Sequence, residues 1–593
     1  MRPVLPVIFM LLFSVSTPSL IYAQSSDDVP VLLSMKCDDL IEKAKEDSFA
    51  LKTLAAIRAL SRCADFTFDL SKISALERQL YSAEIKPLEA SPEQILTALL
   101  TADDIAKKIK TEKEAATKYE LYKQLRLQHR KTGNKTAAQK ASTELHQWAL
   151  QYYKKHKKEP IAYTALYEGS QLAVRDLWTA GNTKEAQTII NAALGQLQKT
   201  HSVAELLFLK GRIAEESKQS KIAVTQYTLT EEDIKKHNPK GLSFNTDRLL
   251  WLKAWILYKD KNFEEAEQAF AHLVNSTQDS SERSRALFFQ ARCLKQLDQQ
   301  VQYKILMESI PDQDFFGYYS LVSYHELGKK LPALKDIKPE YSLRYDLKLN
   351  FLSSENRQLF KDLLKYKEFA LAEKASGLLA ATPNEEMNMA LYLAKNHDIF
   401  LPIFRSFSRL NNNEKIDLFM NYPELIFPQL HKSQVNEMAK KTELPASLIY
   451  AIIKQESAFN PKARSGANAL GLMQVIPNLA QQLAKKFDVP YSKAEDLYNP
   501  KINIPLGSYE LMEQVKKQNG QLTYVAAAYN AGPNALAGWL KNRNRDDILE
   551  FIEEIPYEET RTYVKLIARN QLFYQRISNR DKEQSFPSEF LNN

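Results

Sequence analysis

The sequence predicts a mainly α-helical protein, a long helical body followed by a smaller, loop-richer C-terminal domain. Three observations carry that expectation. Glycine and proline, at 15 and 24, fill only 39 of 593 positions, too few turn-formers for a large all-β chain. Hydrophobic residues make up 44% and charged residues 26%, the balance of a chain that buries substantial cores. Nine of the fifteen glycines fall before residue 430 and six lie between Gly466 and Gly538, so the loops gather at the C-terminal end. At about 150 residues per domain the length corresponds to about three or four units, or fewer where one is a repeat array. The net charge of +8 is spread along the chain. It tolerates an acidic substrate without calling for nucleic acid.

Residues 1–23 read as a signal peptide that sends the chain to the periplasm. Arg2 gives a positive start, an apolar run follows from Val4 to Val15, and Ala23 before Gln24 marks the exit. The run is broken by Pro6 and short for a membrane span, and no later segment reaches about 18 continuous apolar residues. The cysteines are Cys37, Cys63 and Cys293. In an oxidising compartment Cys37 and Cys63 could bridge neighbouring helices; three buried thiols is the equal alternative. None of them is spaced as a metal site, and no metal or cofactor is expected.

Residues 24–360 read as helix after helix with a blurred repeat. Gly133-Asn134 precedes Ala138, and Gly181-Asn182 precedes Ala186 at the same offset. Gly211, Ala223 and Tyr227 share their spacing with Ala254, Ala266 and Phe270. Small residues let antiparallel helices approach closely while the aromatic fills the gap to the next pair, which resembles tetratricopeptide-type helix pairs. Alanines 138, 186, 223 and 266 recur at 48, 37 and 43 residues, too irregular for a strict array, so the expectation is a degenerate α-superhelical solenoid. An ordinary helix bundle is the alternative. Trp148, Tyr152, Tyr153, Trp178, Trp251 and Trp255 could be sugar platforms, though helical spacing favours core. Asp314–Tyr319 and the proline-marked Leu331–Glu340 suggest a change of register, and 361–430 is assigned to a helical linker domain.

The catalytic domain is placed at 431–593. Pro445-Ala446-Ser447 starts a helix on which Ile449, Ile453 and Glu456 share a face at i, i+4 and i+7. An acid on an apolar stripe is costly to bury ionised, so desolvation would keep it protonated, as a general acid requires. Asn460-Pro461 ends the helix, and a loop leads to Gly471-Leu472-Met473-Gln474. A small-residue helix stops at Ala528-Tyr529-Asn530-Ala531-Gly532-Pro533, and a last block runs from Glu553 through Glu559-Thr560-Arg561-Thr562-Tyr563-Val564.

Gln455-Glu456-Ser457, Gly471-Leu472-Met473-Gln474, Ala528-Tyr529-Asn530-Ala531-Gly532 and Glu559-Thr560-Arg561-x-Tyr563-Val564, in this order, resemble the soluble lytic transglycosylases of bacterial cell-wall metabolism. The match covers residues 425–580 and is specific as a set. The resemblance implies a lysozyme-like catalytic domain beside a superhelical one, with peptidoglycan glycan strands as substrate. It implies Glu456 as the acid/base and Ser465, Gln474 and Tyr529 as groups bonding the acid or the acetamido sugar. It further implies Met473 as a cleft residue, Asn530 as a loop brace, Glu553 as a contact to the substrate's peptide and Tyr563 as a cleft wall. The loop reads Asn468-Ala469-Leu470 where the family usually has Gly-Ala-x.

Most glycosidases use two carboxylates, yet no Asp or Glu lies between Ser457 and Phe487. Asp488, Glu495 or Asp496 could fold back. A one-carboxylate site fits a substrate-assisted route that ends in a 1,6-anhydro-N-acetylmuramyl product. Two other readings stand beside it: a goose-type-lysozyme-like hydrolase, and a periplasmic scaffold whose solenoid recruits cell-wall machinery. The chain has no His-Glu-x-x-His and no Gly-x-Ser-x-Gly, and Leu472-Met473 follow Gly471 where a phosphate loop needs Lys-Ser/Thr.

Overall fold

The computed structural model describes residues 30–592 apart from 47, 64–65, 67, 71–72, 86–99, 340–344 and 544–545. The signal-peptide expectation falls outside the described residues. Every regular element among the described residues is a helix. The sole extended pairings among them are isolated bridges, Leu331 with Gln584, Arg464 with Leu470, and Leu470 with Val475. The chain divides into two compact units, residues 90–313 and residues 1–89 with 314–593.

In the 90–313 unit the solenoid repeat is a recurring turn. Helices Ala115–Lys131 and Lys135–Lys155, Pro160–Thr179 and Thr183–Leu197, and Ala204–Glu216 and Ser220–His237 form successive hairpins. Thr246–Lys259 with Phe263–Ser276 and Ser280–Gln296 with Gln300–Gln313 continue the series. Each hairpin turns through one left-handed residue: Gly133 at φ +75°, Gly181 at +83°, Lys218 at +57°, Lys261 at +60° and Asp298 at +60°. The next amide reaches back to close each first helix, Asn134 N to His129 O and Asn182 N to Leu177 O, both 2.8 Å. The same bond joins Gln219 to Ala214, Asn262 to Leu257 and Gln299 to Leu294. This is the Schellman C-cap, in which a left-handed residue turns two backbone amides onto orphan carbonyls at a helix end.

Five residues after each turn the second helix needs a side chain that lets its partner close in. Ala138, Ala186, Ala223 and Ala266 stand there and are all buried; Tyr303 takes the place in the fifth hairpin and is buried too. Gly211 lies against the Tyr227 ring so closely that an added Cβ would stand 2.5 Å from Cε1. The candidate platform aromatics are spent on packing. Trp148 stacks on Tyr152 at 5.5 Å and Tyr152 on His156 at 4.3 Å, one ring covering the face of the next, whereas a sugar platform needs a free face. Trp251 and Trp255 are buried and stacked at 5.6 Å, with the Arg285 guanidinium 3.3 Å over Trp251. Trp178 donates its indole N–H to Glu216 at 2.8 Å.

In the other unit the N-terminal helices Cys37–Lys45, Lys52–Arg62 and Ala75–Leu80 share a core with Ser354–Lys365, Phe369–Leu379 and Pro383–His397. Leu54, Ile57, Phe360, Leu363 and Met389 form its centre. Arg58, 4% exposed, donates to Glu368 at 2.5 Å and to Glu84 at 2.7 Å. Burial of a guanidinium is tolerable only with such partners. Cys37 and Cys63 are joined by a disulfide, and Cys293 is a free buried thiol. The Asp314–Tyr319 stretch is an anchor: Phe316 stacks on Phe573 at 4.8 Å and meets Phe419 edge-on at 5.3 Å.

Replacing Gly211 by Ala should lower stability by about 1–3 kcal/mol in urea unfolding, the usual cost of overpacking. Gly195→Ala is the control, since nothing lies within 4 Å of its added Cβ, and should be neutral or stabilising by about 0.5–1 kcal/mol. Equal effects at the two positions would show that Tyr227 yields and does not set the helix separation.

Candidate functional site

The helix Ala446–Ser457 begins after Pro445 and buries Leu448 through Lys454. It stops because Ala458 and Phe459 both take left-handed φ, +49° and +64°. That conformation is unfavourable for a bulky side chain, and Phe459 is held in it by full burial, at 1% exposed. Glu456 therefore stands in the last turn, where the chain swings away and leaves one side of the carboxyl partly exposed.

The helix Glu558–Ser578 packs along it, and Tyr563 donates its hydroxyl to Glu456 Oε1 at 2.6 Å. Burial pushes the Glu456 carboxyl up to about 8; the Tyr563 bond pulls it back and the Glu559 charge pushes it further up. Crowding by protein on most sides weakens solvation of the anion even though one face still meets water. At neutral pH the group is protonated.

The loop after the helix is braced by its own polar groups. Ser465 Oγ accepts the Ala469 N–H at 3.0 Å and the Ser465 N–H bonds the Ala469 carbonyl at 3.0 Å. Between them Asn468 takes φ +63°. The departure at this position is thus accommodated, because Asn tolerates the left-handed region better than other non-glycine residues. Gln474, at φ +51° and 7% exposed, donates its amide to Ala463 O and Gly471 O at 3.1 and 2.9 Å. Gly471 has no alternative: at φ +78° an added Cβ would stand 2.1 Å from Leu497 O.

One buried side chain, Asn503 in the helix Pro500–Lys517, ties this loop down. Its Nδ2 donates to Leu470 O and Leu497 O at 2.8 and 2.9 Å, and its Oδ1 accepts the Met473 N–H at 2.8 Å. Met473 is fully buried against Gly507, and its carbonyl accepts the Tyr529 hydroxyl at 2.8 Å. Tyr529 and Asn530 end the helix Leu522–Ala531, whose alanines 526–528 are buried, before Gly532 turns at φ +87°. Asn530 Oδ1 accepts from Thr560 at 2.6 Å, and its amide donates to Glu559.

The structure thus gathers Glu456, Tyr563, Tyr529, Met473 and Asn530, with Gln474 and Ser465 shaping the adjoining loop. Glu553 is buried, and its carboxylate accepts from Tyr319 and Lys565. Two carboxyls that were not among the expected site residues are present as well. Glu559, partly exposed, is pushed up by burial and pulled down by Asn530; it lies within the motif quoted above for Tyr563. Glu510 is pushed up to about 8 by burial first and by the Glu456 charge second; nothing in its local sequence distinguishes it. Of the carboxyls considered for a fold-back partner, Asp496 is taken up in its own turn by the Ser492 and Lys493 amides. Among the described residues no group of three His, Cys, Asp or Glu is placed to hold a metal ion.

Residues 433–552 match the family described as the transglycosylase SLT domain. The soluble lytic murein transglycosylase of Escherichia coli K12 is 26% identical over 313 residues, 51% of this chain and 45% of that one. The membrane-bound lytic murein transglycosylase C of Actinobacillus pleuropneumoniae is 32% identical over 166 residues, 24% of this chain and 45% of that one. The chain therefore spans less than half the length of these relatives. Among solved structures, an inactive variant of lytic transglycosylase Slt from Pseudomonas aeruginosa aligns over 94% of this chain and 83% of its own, with TM-score 0.59 and 22% identity. The 70 kDa soluble lytic transglycosylase of Escherichia coli aligns over 93% and 81%, with TM-score 0.56 and 18% identity. These two likenesses establish the fold, a helical superhelix with a lysozyme-like domain. The segment that carries Glu456 is thus similar to the transglycosylase SLT domain, and the longer stretch around it to soluble lytic murein transglycosylases.

Proposed function

We propose that this chain cleaves the β-1,4 bond between N-acetylmuramic acid and N-acetylglucosamine in peptidoglycan without water, leaving 1,6-anhydro ends. The observation that supports it is the state of the carboxyls. Glu456, Glu510 and Glu559 are all pushed upward, the first two to about 8. A two-carboxylate glycosidase needs one acid held protonated and one held ionised as nucleophile or base. None of the three is pulled down toward a firmly held carboxylate, so this reading assigns stabilisation of the developing cation to the substrate's own 2-acetamido group.

In this reading protonated Glu456 gives its proton to the glycosidic oxygen as the bond to the anomeric carbon breaks. The acetamido oxygen closes on that carbon. Glu456, now a carboxylate held by the Tyr563 hydroxyl, takes the proton of the same sugar's 6-hydroxyl. The 6-oxygen displaces the acetamido oxygen and the internal ether forms. Atoms balance with no water consumed and Glu456 reprotonated. The Tyr563 bond serves the second half, since it favours the ionised form. We further propose that the protein works in the periplasm. Among the described residues no helix is long and apolar enough to cross a membrane.

Digestion of purified sacculi, read by mass spectrometry, tests this. Glycan products lighter than hydrolysed ones by one water are expected, with Glu456→Gln slower by about 10²–10⁴-fold, the span of general acid–base catalysis. Products carrying the extra water would make the chain a hydrolase, and binding of sacculi without any product would make it a scaffold. The pH profile adds a second prediction. Activity should fall as pH rises through about 8, where Glu456 loses its proton. Tyr563→Phe removes a bond to the ionised form, so that limb should move to higher pH. A limb that stays in place would take Tyr563 out of the titration of the acid.

A further inference from the structure

The turns that join one solenoid hairpin to the next are rich in lysine. Between the helices Lys135–Lys155 and Pro160–Thr179 the chain reads Lys154-Lys155-His156-Lys157-Lys158. Between Thr183–Leu197 and Ala204–Glu216 it reads Lys199-Thr200-His201. Between Ser220–His237 and Thr246–Lys259 it passes Lys235-Lys236-His237 and then Lys240. All of these lysines are exposed. The next such turn, Thr277-Gln278-Asp279, has none.

Side-chain contacts draw the three turns into one edge of the 90–313 unit. The Tyr153 ring, beside Lys154, meets His201 edge-on at 6.2 Å, and His201 stacks on Tyr163 at 4.4 Å. Tyr163 donates its hydroxyl to Ser202 O at 3.1 Å. Ser202 in turn donates to the Asp233 carboxylate at 2.6 Å, and the Val203 N–H reaches the same carboxylate at 3.1 Å. His237 Nδ1 stands 3.2 Å from Asp233.

The acids of this edge are already engaged. Glu159 is bonded to Tyr152 and His156, Asp233 to Ser202 and Val203, and Glu231 to Lys235 at 2.6 Å and His272 at 3.0 Å. Glu232 is exposed on the Ser220–His237 helix and opposes the lysines with a single charge. Apart from Lys235, none of the lysines named has an ion-pair partner among the described residues. A cation in a helix's last turn answers the helix dipole, which accounts for Lys154, Lys155, Lys235 and Lys236. It does not account for Lys157, Lys158, Lys199 and Lys240, which follow the helix ends. Like charges gathered in this way repel one another, and an anion laid across them relieves the repulsion.

The chemistry of the edge narrows the anion. The three turns contain no arginine, so the bidentate fork that best captures phosphate is missing. The rings are engaged with one another and not set out for stacking bases: Tyr152 stacks with Trp148 and His156, and Tyr163 with Tyr167 and His201. None of the large exposed apolar side chains among the described residues falls in these turns, so the edge offers nothing to insert into a bilayer. Flexible ammonium groups suit carboxylates spaced along a hydrated polymer.

We infer that this lysine edge is a docking surface for the carboxylates of a peptide-bearing peptidoglycan strand. The choice of that polymer rests on the proposed activity; the charge pattern does not. The edge contributes attraction and local concentration of the strand, and no group to the chemistry.

Cosedimentation of the full chain with intact sacculi tests this, in a Glu456→Gln background so that the sacculi are not consumed. Lys154→Gln, Lys157→Gln, Lys199→Gln and Lys236→Gln, made together, should weaken binding at low salt by about tenfold, the sum of four exposed charge pairs. The same four positions changed to Arg should keep it. Lys131→Gln, Lys135→Gln, Lys184→Gln and Lys221→Gln remove as much charge from the turns within the hairpins and should change binding by less than about twofold. The difference should vanish at about 1 M salt, where charges are screened beyond about 3 Å. Sacculi whose carboxyls have been converted to amides should bind all these chains alike.

Equal losses from the two sets of glutamines would show that net charge alone is felt, and the inference falls. It falls also if amidated sacculi still distinguish the variants. Loss of binding to phosphatidylglycerol vesicles with sacculus binding intact would make the edge a site for lipid headgroups instead. A chain that binds sacculi through these lysines yet releases no product with Glu456 in place would remove the proposed activity and keep the docking surface. Product release with binding indifferent to the lysines would do the reverse.

Discussion

Everything around the site depends on holding a carboxyl where water cannot fully solvate it. The helix Ala446–Ser457 does this by being locked on two sides. Glu456 is met by Tyr563 on one. Lys454, two positions earlier and so on a different face, is buried on the other, where its ammonium donates to Ile426 O at 2.7 Å and lies 3.1 Å over the Phe404 ring. Burial drives that ammonium well below its usual range. The helix thus carries an acid and a base that cannot neutralise each other, each forced toward its uncharged form by its own surroundings. A helix free to roll would let both reach water, and the raised acid would be lost with the lock.

The loop that follows the Glu456 helix is fixed by a different device. Its backbone visits left-handed conformations at Asn468, Gly471 and Gln474, which a free loop would not hold. The buried Asn503 amide pins the loop at Leu470 and Met473, while Ser465 and Gln474 close it on itself. Removing Asn503 would leave buried carbonyls and an amide unpaired, a much larger loss than the net worth of the bonds themselves. The Gln474 amide nitrogen is therefore committed to the loop. What these bonds build is the Met473 carbonyl as a seat for Tyr529, and the close approach of Met473 to Gly507.

The parts legible in the sequence were those with a local cause. Glu456 stood out because an acid on an apolar helical stripe is anomalous wherever it occurs, and Tyr529, Asn530 and Tyr563 came with blocks of recognisable order. The solenoid was half legible. Its small residues after the turn could be read at Ala138, Ala186, Ala223 and Ala266, but the turn itself could not, because the left-handed position is glycine only at 133 and 181. Lys218, Lys261 and Asp298 adopt it under tertiary constraint and look like ordinary surface residues. Glu510 and Glu553 show the limit of local reading. One lies on an ordinary amphipathic helix and is set apart only by the desolvation its surroundings impose. The other sits in a conspicuous acidic motif, and no local pattern announces that Tyr319 and Lys565 donate to it. The sharing of a core between residues 37–80 and 349–393 was likewise invisible, since no short pattern reports which helices meet across such a separation.

A site with three upward-shifted carboxyls and several left-handed residues is a concentration of unfavourable terms, and an aromatic cluster packs on the same helix that carries Tyr563. The helix Glu558–Ser578 presents Tyr563 to the acid and, further along, Phe573 and Tyr574 to the core. Phe573 stacks on Phe427 at 5.2 Å and Phe316 at 4.8 Å and meets Phe419 at 5.5 Å, while Tyr574 donates to Pro428 O at 2.9 Å. Full burial of each such ring is worth about 1.5–3 kcal/mol, and aromatic contacts add about 0.5–1.5 kcal/mol more. The same helix thus transmits rigidity from that cluster to the Tyr563 hydroxyl. Phe315 and Phe316 enter the cluster from the segment that follows the solenoid, so the chain's passage out of its repeats is itself part of what holds the acid in place. That dependence explains why an otherwise connecting stretch, Asp314–Tyr319, is so rich in rings. It supplies the apolar support that lets the neighbouring helix carry a strained and desolvated acid.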